Sequence, residues 1–176
     1  CTEKPRAFSA PTGDRLARLA RESGCVHMLG YQRRSDPATV EAKRTVDAWK
    51  SSGELGPLRY LRICYTDGDW TGNAHGLIDA GEQPPPFPAE PPPSEFAADD
   101  EAVWALSTGI DELVHPLNLL RQFVGERYRL VFVHVSGRLC AFESESGVPL
   151  TIEVSPYRVS VGFDEELLVA FERGYV

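Results

Sequence analysis

Arg129-Leu130-Val131-Phe132-Val133-His134-Val135-Ser136-Gly137-Arg138-Leu139-Cys140-Ala141-Phe142-Glu143 is the stretch on which the architecture of this chain turns. Two runs rich in β-branched and aromatic residues flank a Ser136-Gly137 turn, which predicts two strands joined tightly and therefore paired antiparallel. The same composition returns in Pro149 to Val154, Tyr157 to Val161 and Leu167 to Glu172, and upstream in Leu58 to Thr66, where Leu58, Tyr60 and Arg62 alternate in part. The last of these, Leu167 to Val176, reads as a strand that stops with nothing after it. The expected class is α/β of the α+β kind, an open, largely antiparallel sheet with helices on one face.

Working outward, Asp36-Pro37 supplies an N-cap and a proline at the first helical position, and Gly53 supplies a stop. Val40, Ala42, Val46 and Trp49 give the helix between them an apolar stripe. A second covering helix starts near Ala102. Pro116 is expected to interrupt it and begin a separate helix from Leu117 to Gly125, with His115 at its mouth. Earlier still, Leu16, Leu19 and Ala20 lie at helical spacing within Thr12 to Ser23, Gly24 follows as a stop, and Val26 to Tyr31 reads as a short strand. Residues 1–30 thus read as the last helix and strand of a Rossmann-type domain, and 31–176 as a sheet domain truncated at its far end. Two helices cover only one face of such a sheet. Val131, Val133, Leu150, Ile152 and Val154 or their neighbours are assigned to the other face, and a homo-oligomer through that face is expected.

The 176 residues suffice for a domain with a core, and 42% apolar with 25% charged residues is ordinary for a globular protein. A net charge of −8 opposes a nucleic-acid or anionic-membrane surface, which needs clustered Lys and Arg. No apolar run approaches the length of a membrane span, and the first residues lack a secretory pattern, so a cytoplasmic enzyme is the expectation. Cys1, Cys25, Cys64 and Cys140 are far apart, without a Cys-x-x-Cys pair or a His at ligand spacing, so no metal site is expected. Gln83 to Ser94 holds seven of the 14 prolines, too dense for helix or interior strand. The stretch 69–100 reads as an insertion, either a plain surface loop or a lid in which Trp70 offers a flat face to a sugar ring.

Four elements then fall in a fixed order: the turn Glu3-Lys4-Pro5, the stretch Gly30 to Pro37 with Gln32-Arg33-Arg34, the stretch Ser52-Gly53-Glu54-Leu55-Gly56-Pro57-Leu58 before a strand, and Asp111 with His115 ahead of Leu117 to Gly125. Each alone is weak. In this order they resemble the second part of an enzyme of the glucose-fructose oxidoreductase and inositol dehydrogenase family. The resemblance implies a parent enzyme that transfers hydride between NAD or NADP and a sugar, polyol or related small hydroxy compound. It implies catalytic roles for Lys4, His115 and Asp111, a cofactor-facing role for Glu3, Lys4, Pro5 and Arg33, and substrate contacts for Gln32, Arg33 and Asn118, to which the lid reading of the insertion adds Trp70. His has a pKa suited to taking the hydroxyl proton, and a Lys ammonium can stabilise charge on the oxygen. The chain departs from the family pattern at Leu113, where a glycine is usual, and at Asn118, where an aspartate is common.

Duller readings stand beside these. Lys4 can be a surface lysine, His115 a satisfied core histidine, and Arg33 half of a salt bridge at a domain junction. No Gly-x-Gly-x-x-Gly occurs among the 15 glycines, so the chain alone is expected to be inactive and to bind neither cofactor tightly. The rival function is a noncatalytic binding or assembly module that uses the open sheet. A hydrolase built on His115 and Asp111 is a third reading, without a Gly-x-Ser-x-Gly element to support it.

Overall fold

The computed structural model describes residues 1–66, 81–82, 100–155 and 164–176, the side chains of 100–108 and 110–112 excepted. Trp70, the proline-rich stretch Gln83 to Ser94 and the strand expected at Tyr157 to Val161 lie outside the described residues. The chain forms two compact units. One comprises Cys1–Gln32 with Asp79–His115, the other Arg33–Ile78 with Pro116–Val176.

In the first unit, helix α1 spans Ala10–Glu22. Ser9 holds extended backbone and its hydroxyl accepts from the Thr12 amide at 3.3 Å, satisfying one of the free donors of the first turn. Val26 to Tyr31 is not a strand. A ladder requires a neighbour, and the described residues supply only the parallel bridge Thr2↔Leu29; Val26 is accordingly 96% exposed.

The second unit carries helix α2, Pro37–Ser52, with both predicted boundaries in place. The Asp36 carboxylate accepts from the amides of Ala38 at 2.9 Å and Thr39 at 3.3 Å. Gly53 closes the helix at φ 67°, a left-handed conformation that favours glycine. Six strands follow as β1 Leu58–Thr66, β2 Tyr128–Val133, β3 Leu139–Ser144, β4 Pro149–Ser155, β5 Glu165–Phe171 and β6 Gly174–Tyr175. They form one sheet in the order β2-β3-β4-β1-β5-β6. Among the described strands only β1 and β4 pair in parallel; the other four pairings are antiparallel, as the short turns predict. Leu167 to Val176 is not a single strand. The chain reverses at Glu172-Arg173 and β6 pairs back on β5. Gly174 leaves room for Leu55, since a side-chain carbon there would stand 3.0 Å from Leu55 Cδ1.

Helix α3 runs unbroken over Asp100–Val124 with Pro116 inside it, against the expectation of a break. A proline in mid-helix removes one amide donor and costs about 3 kcal/mol. Beyond it, Leu119, Leu120 and Phe123 are each at most 3% exposed, and burial of such side chains contributes roughly 1.5–3 kcal/mol apiece. Packing outweighs the missing bond. The helix ends under Lys50, whose Nζ donates to the carbonyls of Phe123 at 2.7 Å and Val124 at 2.9 Å. These carbonyls have no partner within the helix and carry the negative end of its dipole.

The sheet's core face is set by β1. Leu61, Ile63 and Tyr65 alternate inward opposite Leu150, Ile152 and Val154 of β4. Cys140 and Phe142 of β3 and Val169 of β5 join them, and Trp49 of α2 meets the edge of Phe171 at 5.6 Å. Leu150, Ile152 and Val154 therefore belong to the core face and not to the opposite one expected from the sequence. The opposite face carries Tyr60 bonded to Thr151 at 2.6 Å, the ion pair of Arg62 with Glu166, and that of Arg129 with Glu143. At the β2 edge a register shift lies between Leu130 and Phe132, and Leu130, Val131, Phe132 and Val133 are all 46–54% exposed.

The two kinds of apolar strand residue should respond differently to charge. Ile152→Asp is expected to abolish cooperative unfolding, whereas Phe132→Asp should leave the unfolding free energy of the monomer in urea within about 0.5 kcal/mol of wild type. Circular dichroism on both variants decides this.

Candidate functional site

The residues singled out from the sequence fall in both units. In the first, the Thr2 amide donates to the Met28 carbonyl and the Gly30 amide to the Thr2 carbonyl, each at 2.9 Å. These bonds anchor the Glu3-Lys4-Pro5 turn to the chain just before Gly30. The Glu3 carboxylate comes so near Gly30 that a side-chain carbon there would stand 3.5 Å from Oε2. Lys4 is half-buried and engaged by other groups, and the peptide bond to Pro5 is cis. His115 is only 7% exposed, with the Tyr31 ring edge-on at 6.4 Å and 86°. Asp111 precedes His115 by four residues within α3, one helical turn, and its side chain lies outside the described residues. Gln32 is exposed at the start of a short 3-10 turn, Gln32–Ser35.

In the second unit the two arginines of that turn reach different partners. Arg33 Nη1 donates to the Glu165 carboxylate at the start of β5, with both side chains largely shielded at 23% and 19% exposure. Arg34 donates from Nε to Oδ1 of Asn118 and from Nη2 to the Asn118 carbonyl at 3.1 Å. One residue earlier on α3, the Leu117 carbonyl accepts from Tyr128 Oη at 2.9 Å. The turn after Pro116 is thus braced by two side chains from outside the helix. Burial raises the Tyr128 hydroxyl above its ordinary pKa, so it stays a donor.

Arg34, Glu165 and Tyr31 were not singled out by sequence. The Arg33-Arg34 doublet was a visible signal, although it does not say which guanidinium goes where. Trp70 lies outside the described residues. Among the described residues no group of three or more potential ligands could hold a metal ion, and no helix is long and apolar enough to cross a membrane. A surface cleft of about 420 Å³ is lined by Lys50, Arg59, Val124, Glu126, Ser146 and Val148. Its polar groups are already engaged: Lys50 caps α3, Arg59 pairs with Glu172 at 2.8 Å, and Glu126 accepts from the Ser146 amide at 3.2 Å and hydroxyl at 2.5 Å.

Glu165 gives a pH signature. Burial raises its carboxyl above the usual carboxylate range, and this outweighs the opposing pull of Arg33. The folded chain then holds this proton more tightly than the unfolded chain, so the group's contribution to stability falls as pH rises from the ordinary value near 4.3 through the raised one. Urea denaturation of wild type and Glu165→Gln between about pH 4 and pH 7 should find the difference moving toward wild type as pH is lowered. Movement the other way would mean that the Arg33 attraction dominates.

No family model matches the sequence, and no curated protein matches it. Solved structures do match. A probable dehydrogenase from Thermotoga maritima superposes with a TM-score of 0.64 at 19% identity, over 99% of this chain and 47% of that one. A putative myo-inositol dehydrogenase from Sinorhizobium meliloti gives 0.62 at 18% identity, over 99% and 48%. Scyllo-inositol dehydrogenase from Lactobacillus casei, solved with NAD(H) and scyllo-inositol, gives 0.60 at 13% identity, over 99% and 48%. The chain spans about half the length of these proteins. At such identities the likeness concerns fold, and it agrees with the resemblance carried by the four sequence elements: this chain has the fold of inositol-dehydrogenase-type oxidoreductases over about half their length.

Proposed function

We propose that this chain is part of a nicotinamide-dependent oxidoreductase that transfers hydride between NAD or NADP and a sugar, polyol or related hydroxy compound. One observation carries the reading. The fold of such dehydrogenases extends over 99% of the chain, and within it the first unit contains both Lys4, in its anchored turn, and His115, shielded beside Tyr31.

The chemistry follows from the side chains. Oxidation of a secondary alcohol breaks the carbinol C–H bond, the hydride leaving with its electron pair, and the O–H bond, whose electrons form the C=O bond. His115 accepts the hydroxyl proton, its shielded ring kept away from bulk water. Lys4 donates to the oxygen and stabilises the negative charge developing there. Asp111, one turn before His115, would orient the imidazole. NAD or NADP supplies the hydride acceptor, and Glu3, Lys4, Pro5 and Arg33 would face its nicotinamide end. Arg33 is already paired with Glu165, so it would contribute as a neutralised pair or by exchanging partners. Gln32 and Asn118 would contact substrate hydroxyls, with Trp70 as a stacking face.

The rival, an assembly module, draws on the exposed β2 edge. It is also compatible with catalysis, because a homo-oligomer through the open sheet face would cover Phe132 and Leu139, 50% and 39% exposed. Sedimentation equilibrium should report at least a dimer at tens of micromolar, reduced to monomer by Phe132→Asp. A wild-type monomer would remove the oligomer from the reading.

None of the 15 glycines forms a phosphate-cradling Gly-x-Gly-x-x-Gly turn. Calorimetry on the 176-residue chain should therefore find NADH and NADPH binding no better than weakly; micromolar affinity would contradict this. In the complete enzyme, His115→Ala should lower turnover by roughly 10²-fold or more with little change in cofactor affinity. Near-normal turnover would remove His115 from the mechanism.

A further inference from the structure

Asn118 is held at two points by one side chain. Arg34 Nε donates to its Oδ1 and Arg34 Nη2 to its main-chain carbonyl at 3.1 Å, while both residues are half-buried. A guanidinium has five N–H donors and no acceptor. Asn118 can therefore turn only its oxygen toward Arg34, and its Nδ2 must point away. Among the described residues nothing accepts from that Nδ2. With an aspartate at 118 the side chain would offer oxygens on both sides. With asparagine held by arginine, it offers oxygen to the protein and two N–H donors outward.

Charge strengthens the contrast. The neighbouring Arg33 is neutralised by Glu165, whereas Arg34 ends on a neutral amide and pairs with no carboxylate among the described residues. The outward amide is thus backed by an uncompensated cation, which polarises its N–H bonds toward an incoming acceptor.

We infer that Arg34 is a positioning residue that fixes Asn118 as a hydrogen-bond donor to an acceptor oxygen of the substrate, a hydroxyl or carboxylate oxygen. The inference rests on the proposed oxidoreductase reading, in which α3 presents its residues to a polyol or sugar-like ligand. Arg34 touches Asn118 and not the ligand.

Nuclear magnetic resonance on the ¹⁵N-labelled chain tests it through the Asn118 side-chain amide. In wild type the order parameter of that amide should lie near the rigid value of about 0.85, and in Arg34→Gln, which can accept as well as donate, it should fall below about 0.6. Arg34→Lys, again donor-only, should restore it. Titration with millimolar myo-inositol or glucuronate should move the Asn118 Nδ2 protons in wild type and in Arg34→Lys. The shift should be lost in Arg34→Gln and has no counterpart in Asn118→Asp. A shift with both ligands assigns a hydroxyl oxygen; a shift with glucuronate alone assigns a carboxylate.

An amide that stays ordered in an Arg34→Gln chain of wild-type melting temperature would overturn the inference. So would ligand shifts at Lys4 and His115 that leave Asn118 untouched, and the oxidoreductase reading would then stand without it. If neither ligand moves any resonance of the chain, the inference falls, and the oxidoreductase reading is decided separately by the turnover of the complete enzyme with His115→Ala.

Discussion

Alternate burial along β1 is the constraint on which the second unit depends. Leu61 and Ile63 are fully buried and Tyr65 nearly so, and each faces an apolar partner on β4. Because side chains alternate with a period of two, a one-residue slip would put Arg62 and Cys64 into the core. The register therefore has one solution. Fixing β1 fixes β4 and β5 on its two sides, and the apolar face so formed requires a cover. The segment of α3 after Pro116, with Leu119, Leu120, Phe123 and Val124, has the matching buried face. That demand explains why the helix tolerates a proline and why Lys50 is committed to its last carbonyls.

Much of this was legible in residue type. Asp36-Pro37 and Gly53 bound α2 because a carboxylate, a ring-fixed φ and a residue free to go left-handed act locally. The β1, β3 and β4 runs were legible for the same reason. What escaped depended on neighbours distant in sequence. Leu150, Ile152 and Val154 plainly share a face, but alternation alone does not say which face the helices cover. Val26 to Tyr31 has strand composition without a ladder to join among the described residues. Pro116 broke the expected helix because a local cost was visible and the burial that offsets it was not.

For the candidate site, sequence offered an order of residues and no partners. Sequence order pointed to Lys4, Asp111 and His115, and α3 keeps the last two one turn apart. It could not divide labour between Arg33 and Arg34. Successive residues in a tight 3-10 turn diverge, so one guanidinium reached a carboxylate on β5 and the other an amide on α3. Two adjacent identical side chains thus acquire different electrostatic roles from backbone geometry alone.

The mixed pairing around β1 also has a consequence in time. The strands β2, β3 and β4 follow one another closely and can zip as successive hairpins. The contacts of β1 close much longer loops: Tyr60 and Thr151 are 91 residues apart, Arg62 and Glu166 are 104 apart. Closing such loops is entropically costly before any contact rewards it, and chains rich in distant pairings fold slowly. During synthesis β1 leaves the ribosome long before β4 or β5 exists. The strand at the centre of the sheet therefore waits for both of its neighbours, and until then Leu61, Ile63 and Tyr65 form an uncovered apolar face that a chaperone would recognise.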